Sequence, residues 1–125
     1  MTIPVSQVRR VMDASVVVIG LVAATGCYSD GQEKVEGGTI AGFEMGFTPR
    51  EAVTDAGSVE LRFRNDGQVF HELAIERDGS AIKRVSAGPG ATAEMTVDLR
   101  PGTYEMTCRE PGHYEAGMRG TLVVR

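Results

Sequence analysis

At 125 residues the chain has room for one core of ordinary size and not for two. Sixteen glycines, four Phe, three Tyr and no Trp describe a turn-rich β domain and speak against a helical bundle. The formal net charge is −4, with no Lys/Arg cluster, which excludes the basic stripe of a nucleic-acid-binding surface.

The first 26 residues read as an address. Arg9 and Arg10 supply a positive n-region, and residues 14–24 are all apolar or small. That run suits a signal-peptide h-region and is too short to span a bilayer. Thr25-Gly26-Cys27 resembles a bacterial lipobox, with Ala24 where Leu is usual and Asp13 at the edge of the apolar run. Residues 1–26 are therefore expected to be a lipoprotein-type signal peptide, with Cys27 the lipidated first residue of the mature chain. A plain secretory signal and an uncleaved anchor helix are the competing readings. Arg9-Arg10 matches a twin-arginine signal poorly, because Asp13 falls where that motif wants a hydrophobic residue. Each version puts the domain outside the cytoplasm, held to the membrane on its periplasmic or outer face if Cys27 carries lipid. Loss of the leader removes two Arg and one Asp and takes the net charge from −4 to −5. Residues 27–38, polar and Gly-rich from Ser29 onward, are expected to be a flexible tether, leaving residues 39–125 as the domain.

Within that domain, strands are expected at 39–47, 51–54, 59–65, 70–76, 81–85, 91–99, 102–108 and 119–125. They are punctuated by Pro49, Ala56-Gly57, Asp66-Gly67, Asp78-Gly79, Gly88-Pro89-Gly90 and Pro101-Gly102. Eight short strands with such turns predict an all-β antiparallel sandwich or barrel. Their phase is informative. Val59, Leu61 and Phe63 alternate with charges and point inward. His71 shares the inward phase of Leu73 and Ile75, and Cys108 that of Tyr104 and Met106.

Residues 108–118 place a thiol (Cys108), an imidazole (His113) and a thioether (Met118) five residues apart. Soft sulfur ligands mixed with imidazole suit copper better than magnesium or calcium, and a His2Cys plane with a weak axial Met is an electron-transfer copper geometry. His71 is the only other histidine. Singly, a core histidine, a buried hydrophobic cysteine and a core methionine would each have a bland explanation. Together they complete a ligand set. A Cys27–Cys108 disulfide is not expected, since each cysteine has a better separate use.

The Cys-x4-His-x4-Met loop, with Pro111-Gly112 before the His and Gly117 before the Met, resembles the cupredoxin family of blue copper proteins. So do Asn65-Asp66-Gly67-Gln68-Val69-Phe70-His71-Glu72-Leu73 and the closing Gly120-Thr121-Leu122-Val123-Val124. The likeness runs from about Gly38 to Arg125, and the loop spacing is closer to auracyanin, rusticyanin and sulfocyanin-like members than to plant plastocyanin. It implies a Greek-key β-sandwich, one type 1 copper ion held by His71, Cys108 and His113 in the plane and Met118 on the axis, and His113 as the electron's surface route. Several family members carry Asn after the first histidine; Glu72 stands there in this chain.

The expected function is a lipid-anchored, monomeric electron carrier, not an enzyme. It would exchange single electrons with redox proteins such as a c-type cytochrome or a membrane oxidase or reductase, met through a weakly polar patch of Pro111, Tyr114, Ala116 and Gly117. Copper delivery or storage is the alternative. A multicopper enzyme needs further histidines, and zinc favours Cys/His/carboxylate sets over a thioether.

Overall fold

Alternating apolar and charged residues make the strands, and turn residues end them. The computed structural model describes residues 32–35 and 38–125; the expected signal peptide and Cys27 lie outside the described residues. Ten strands are present among them: β1 (Glu33–Lys34), β2 (Thr39–Phe43), β3 (Gly46–Thr48), β4 (Glu51–Thr54), β5 (Gly57–Asn65), β6 (His71–Arg77), β7 (Ser80–Ala87), β8 (Thr92–Leu99), β9 (Gly102–Thr107) and β10 (Arg119–Val124). They form a six-stranded sheet in the order β1-β4-β10-β9-β6-β7 and a four-stranded sheet in the order β3-β2-β5-β8. One apolar cluster, including Ile40, Leu61, Phe63, Leu73, Ile75, Met106 and Leu122, unites them as a sandwich.

The sandwich matches the sequence reading, with three differences. The sheets are mixed, not antiparallel: β1 with β4, β4 with β10, and β2 with β5 pair in parallel. These partners are distant in sequence, and turn residues report only on local hairpins. The expected strand 39–47 is a hairpin, with Phe43 opposite Gly46 and Glu44-Met45 at its turn. Finally, part of the expected tether is sheet. Glu33 and Lys34 pair with Ala52 and Val53, and the Val53 carbonyl accepts the Val35 N–H at 2.8 Å. Val35 is buried, and its apolar side chain gives this polar stretch a reason to dock.

β5 keeps the alternation read from its sequence, with Val59, Leu61 and Phe63 buried and its charges exposed. β6 does not. His71, Leu73 and Ile75 are buried as their phase implies, yet Glu72, Ala74 and Glu76 on the other face are buried as well. β6 lies inside the sheet between β9 and β7, and Thr107 at the end of β9 and Arg109 just past it cover Glu76 on the outer face.

Asn65 ends β5 and shapes the loop that delivers His71. Its side-chain amide donates to the carbonyls of Val69 and Ala87, both at 2.8 Å, and its Oδ1 accepts the Gly67 N–H at 2.9 Å. The residue is fully buried, so removing the amide leaves buried backbone groups unpaired. Asn65→Ala is expected to lower stability by about 2–3 kcal/mol, read as a lower urea midpoint.

Candidate metal centre

Strand direction in the six-stranded sheet brings three of the four candidate residues to one end. β9 runs antiparallel to both β6 and β10, so the end of β9 meets the starts of its two neighbours. His71 opens β6, Cys108 follows the last residue of β9, and Met118 precedes the first residue of β10. The Cys108 N–H donates to the Met118 carbonyl at 3.2 Å, continuing the β9–β10 ladder past its end.

His113 comes from the turn between β9 and β10. Its N–H donates to the Glu110 carbonyl at 3.0 Å, and its own carbonyl accepts the Met118 N–H at 3.0 Å. Gly112 and Gly117 have φ of 82° and 103°, in the left-handed region that other residues enter at a cost. A tight loop with His113 turned back over Cys108 requires both.

His71 Nδ1 lies 3.3 Å from His113 Nδ1, and Cys108 Sγ lies 3.4 Å from the same nitrogen. One ligand atom from each of the three residues falls within 4.8 Å of the others. Metal–nitrogen bonds of about 2.0–2.1 Å and a metal–thiolate bond of about 2.3 Å, about 120° apart, would separate two nitrogens by about 3.5 Å and nitrogen from sulfur by about 3.8 Å. The spacing thus fits a single metal ion, and two imidazoles with a thiolate fit copper. Met118 is buried beside them, packed toward Gly42, where an added Cβ would lie 3.3 Å from the Met118 methyl and 2.7 Å from the Phe63 ring. Glycine at 42 leaves the volume that the thioether and Phe63 occupy.

Cys108 is a free, buried thiol. Burial pushes its pKa up, against the pull of the Glu72 and Glu110 N–H groups. A cation at the donor cluster would supply what the thiolate lacks there. The Glu72 N–H donates to Cys108 Sγ at 3.3 Å. This link is made by backbone, so the side chain at position 72 does not decide it; the Glu72 carboxylate points elsewhere, 3.9 Å from Arg84.

Two features of the site escaped the sequence reading. Glu44, from the β2–β3 turn, places Oε1 3.2 Å from His71 Nε2. On the outer face of the sheet, Glu76 accepts two hydrogen bonds from Arg109, at 2.9 and 2.6 Å, and one from Thr107 at 2.9 Å. The Arg109 guanidinium lies 4.0 Å from the centre of the Tyr114 ring, whose hydroxyl donates to Glu105 at 3.1 Å. Residues flanking Cys108 and His113 are thereby tied to β6 and β9. Tyr114, expected in a docking patch, also takes part in this clamp and is partly buried.

Arg109 first, and then Thr107, hold the Glu76 carboxyl below the ordinary range against the cost of burying it. The folded chain then binds this proton less tightly than the unfolded one. The stabilisation is complete above the unfolded value of about 4.3 and is lost as pH falls from there toward the lowered folded value. Urea midpoints measured from neutral pH down through this window are expected to fall more for the native chain than for Glu76→Gln.

The arrangement has relatives. Among solved structures, the fold is similar to dithionite-reduced auracyanin from the photosynthetic bacterium Roseiflexus castenholzii, which is 21% identical with a TM-score of 0.63, covering 74% of this chain and 96% of that one. It is similar also to reduced rusticyanin, 18% identical with a TM-score of 0.59, covering 81% and 89%. A multicopper oxidase is 16% identical with a TM-score of 0.57, covering 75% of this chain and 42% of that one. At these identities the likeness is one of fold. No curated protein sequence matches the chain. The profile of a family described as cupredoxin-like domain matches residues 15–124. Sandwich, donor cluster and profile agree: the chain belongs to the cupredoxin-like domain family.

Proposed function

We propose that this chain is a type 1 copper protein that carries single electrons between extracytoplasmic redox proteins and performs no chemistry on a substrate. The observation that carries the reading is the convergence of His71 Nδ1, Cys108 Sγ and His113 Nδ1, with the buried Met118 tied by its backbone to both Cys108 and His113. Bound copper would supply a one-electron couple, taking an electron from a reduced donor protein and passing it to an oxidised acceptor.

The chain's own residues do the rest. His71, Cys108 and Met118 are fully buried and keep water from the donors, while His113 is only partly buried and offers a route outward. Pro111, Gly112 and Ala116 are exposed beside it in the loop. Val69 and Phe70, next to His71 in the chain, are 42% and 51% exposed. A small apolar surface of this kind suits brief encounters better than permanent association.

Two competing uses fit less well. Copper delivery or storage would want open sulfur donors, but Met95 and Met106 are core residues and Met45 packs against the core. A multicopper enzyme would need more imidazoles, and both histidines of the chain already meet in one cluster. Secretion and lipid attachment at Cys27 rest on the leader sequence.

Adding Cu(II) to the purified domain and recording the visible spectrum tests the reading. An intense thiolate-to-copper charge-transfer band is expected, and its absence refutes the type 1 assignment. Cys108→Ser is expected to abolish the band; Met118→Leu is expected to keep it and raise the reduction potential, because a thioether donor would be lost while His71, Cys108 and His113 stay. The chain's acidity would steer a basic partner such as a cytochrome c. The rate of electron exchange with such a partner is then expected to fall as ionic strength rises, and a flat salt dependence rules steering out.

A further inference from the structure

We infer that Glu44 is a positioning and potential-setting residue for the metal centre, acting through the far nitrogen of His71 and lowering the reduction potential of the bound metal. The inference rests on the copper reading above and goes beyond it, because no residue of the β2–β3 hairpin belongs to the ligand set.

The two nitrogens of His71 have different neighbours. Nδ1 faces the donor cluster, 3.3 Å from His113 Nδ1, and Nε2 faces Glu44 Oε1 at 3.2 Å. If Nδ1 gives its lone pair to a metal, the ring proton must sit on Nε2, where the carboxylate is placed to accept it. A carboxylate acceptor fixes the ring's tautomer and orientation and makes the imidazole a stronger donor. It also sets a negative charge one ring away from the metal. Both effects favour Cu(II) over Cu(I), since the more positive ion gains more from a basic ligand and a nearby anion.

Glu44 lies on the side of His71 away from the donor cluster and is therefore not a further ligand. Its position is over-determined. The same Oε1 accepts the N–H groups of Gln68 at 2.6 Å and Val69 at 3.1 Å, so one oxygen gathers the loop before His71 as well as the ring itself. Gly67 leaves room for this approach. A Cβ there would lie 2.7 Å from His71 Nε2 and would collide with Glu44 Oε1. The carboxylate is partly exposed while His71 is fully buried, so the contact is at the rim of the site and the charge keeps some hydration.

The test compares Glu44→Gln with Glu44→Ala. The amide retains an acceptor oxygen of the same reach and loses the charge; alanine loses both. In the copper-loaded protein, potentiometry on Glu44→Gln is expected to show the Cu(II)/Cu(I) ratio shifted about tenfold toward Cu(I), an upward move of about 59 mV for one electron. In the metal-free protein, hydrogen exchange at the Gln68 and Val69 amides is expected to stay near native in Glu44→Gln and to accelerate in Glu44→Ala. A shift in the ratio of less than about twofold, or a shift toward Cu(II), overturns the proposal. So does loss of amide protection in Glu44→Gln, because the potential change would then follow from a disordered loop. If the native chain itself gives no blue form, the copper reading fails and takes the proposal with it. If the native chain is blue and Glu44→Gln leaves its potential unmoved, Glu44 alone is misassigned.

Discussion

The position of Cys108 is the constraint on which the metal centre depends. Its sulfur is buried where β9 ends, its own N–H is tied to the Met118 carbonyl, and it accepts the Glu72 N–H. Those contacts come from the strands on either side, so the sulfur is fixed by the hydrogen-bonded sheet and not by the loop alone. Once β9 lies between β6 and β10 in antiparallel register, the starts of both neighbours arrive at the same end. His71 and Met118 follow from that geometry. His113 alone must be folded in by a turn, and it is also the ligand candidate nearest to solvent.

Holding donors in this way has an energetic consequence. A buried thiol resists ionisation, and two imidazole nitrogens 3.3 Å apart gain nothing from each other without a proton or a cation between them. The core meets part of this cost. Leu73, Ile75 and Met106 are completely buried in the same strands that carry the ligands, and their packing fixes strand register to within one residue. A slip of one residue would turn His71 and Cys108 to the opposite face. The apolar pattern therefore protects the site as much as it builds the core, and the scaffold holds the donors near their places before any ion arrives. A metal ion entering such a site would need little rearrangement of its donors, which is what the proposed electron exchange asks of it.

Much of this was legible in the sequence because it is local. Strand phase at Leu73 and Ile75 pointed His71 inward, Tyr104 and Met106 did the same for Cys108, and the Gly-Pro punctuation marked most strand ends. What was not legible is non-local. Parallel pairing of β2 with β5 and of β4 with β10 leaves no turn signal, so the sheets read as antiparallel. Val35 was one apolar residue in a polar stretch, too little for a periodic pattern, and only the open edge of β4 gives it a place. Glu72, Ala74 and Glu76 looked like the solvent side of β6 because alternation assumes one wet face. Arg109, 33 residues away in the chain from Glu76, is what covers it. Glu44 is the clearest case: a charged residue in a hairpin turn is ordinarily just solvated, and nothing in its neighbours says that it reaches a histidine 27 residues later.

The two non-local carboxylates divide the support of the site between them. Glu76 is buried and bound to a guanidinium, so its charge is cancelled close at hand; through Arg109 and Tyr114 it acts on the loop's geometry. Glu44 is partly exposed and accepts from backbone amides and an imidazole, none of which carries a formal positive charge when the histidine is neutral. Its charge is therefore left to act on whatever His71 binds. The difference follows from their partners: a carboxylate matched to an arginine stiffens, whereas one matched to neutral donors stiffens and also projects a field. The outer clamp can thus hold the His113 loop in place without adding net charge near the donors. The inner contact sets the orientation and the electrostatics of His71 together. The two supports thus reach the centre from different parts of the chain, Glu76 from β6 and Glu44 from the turn between β2 and β3.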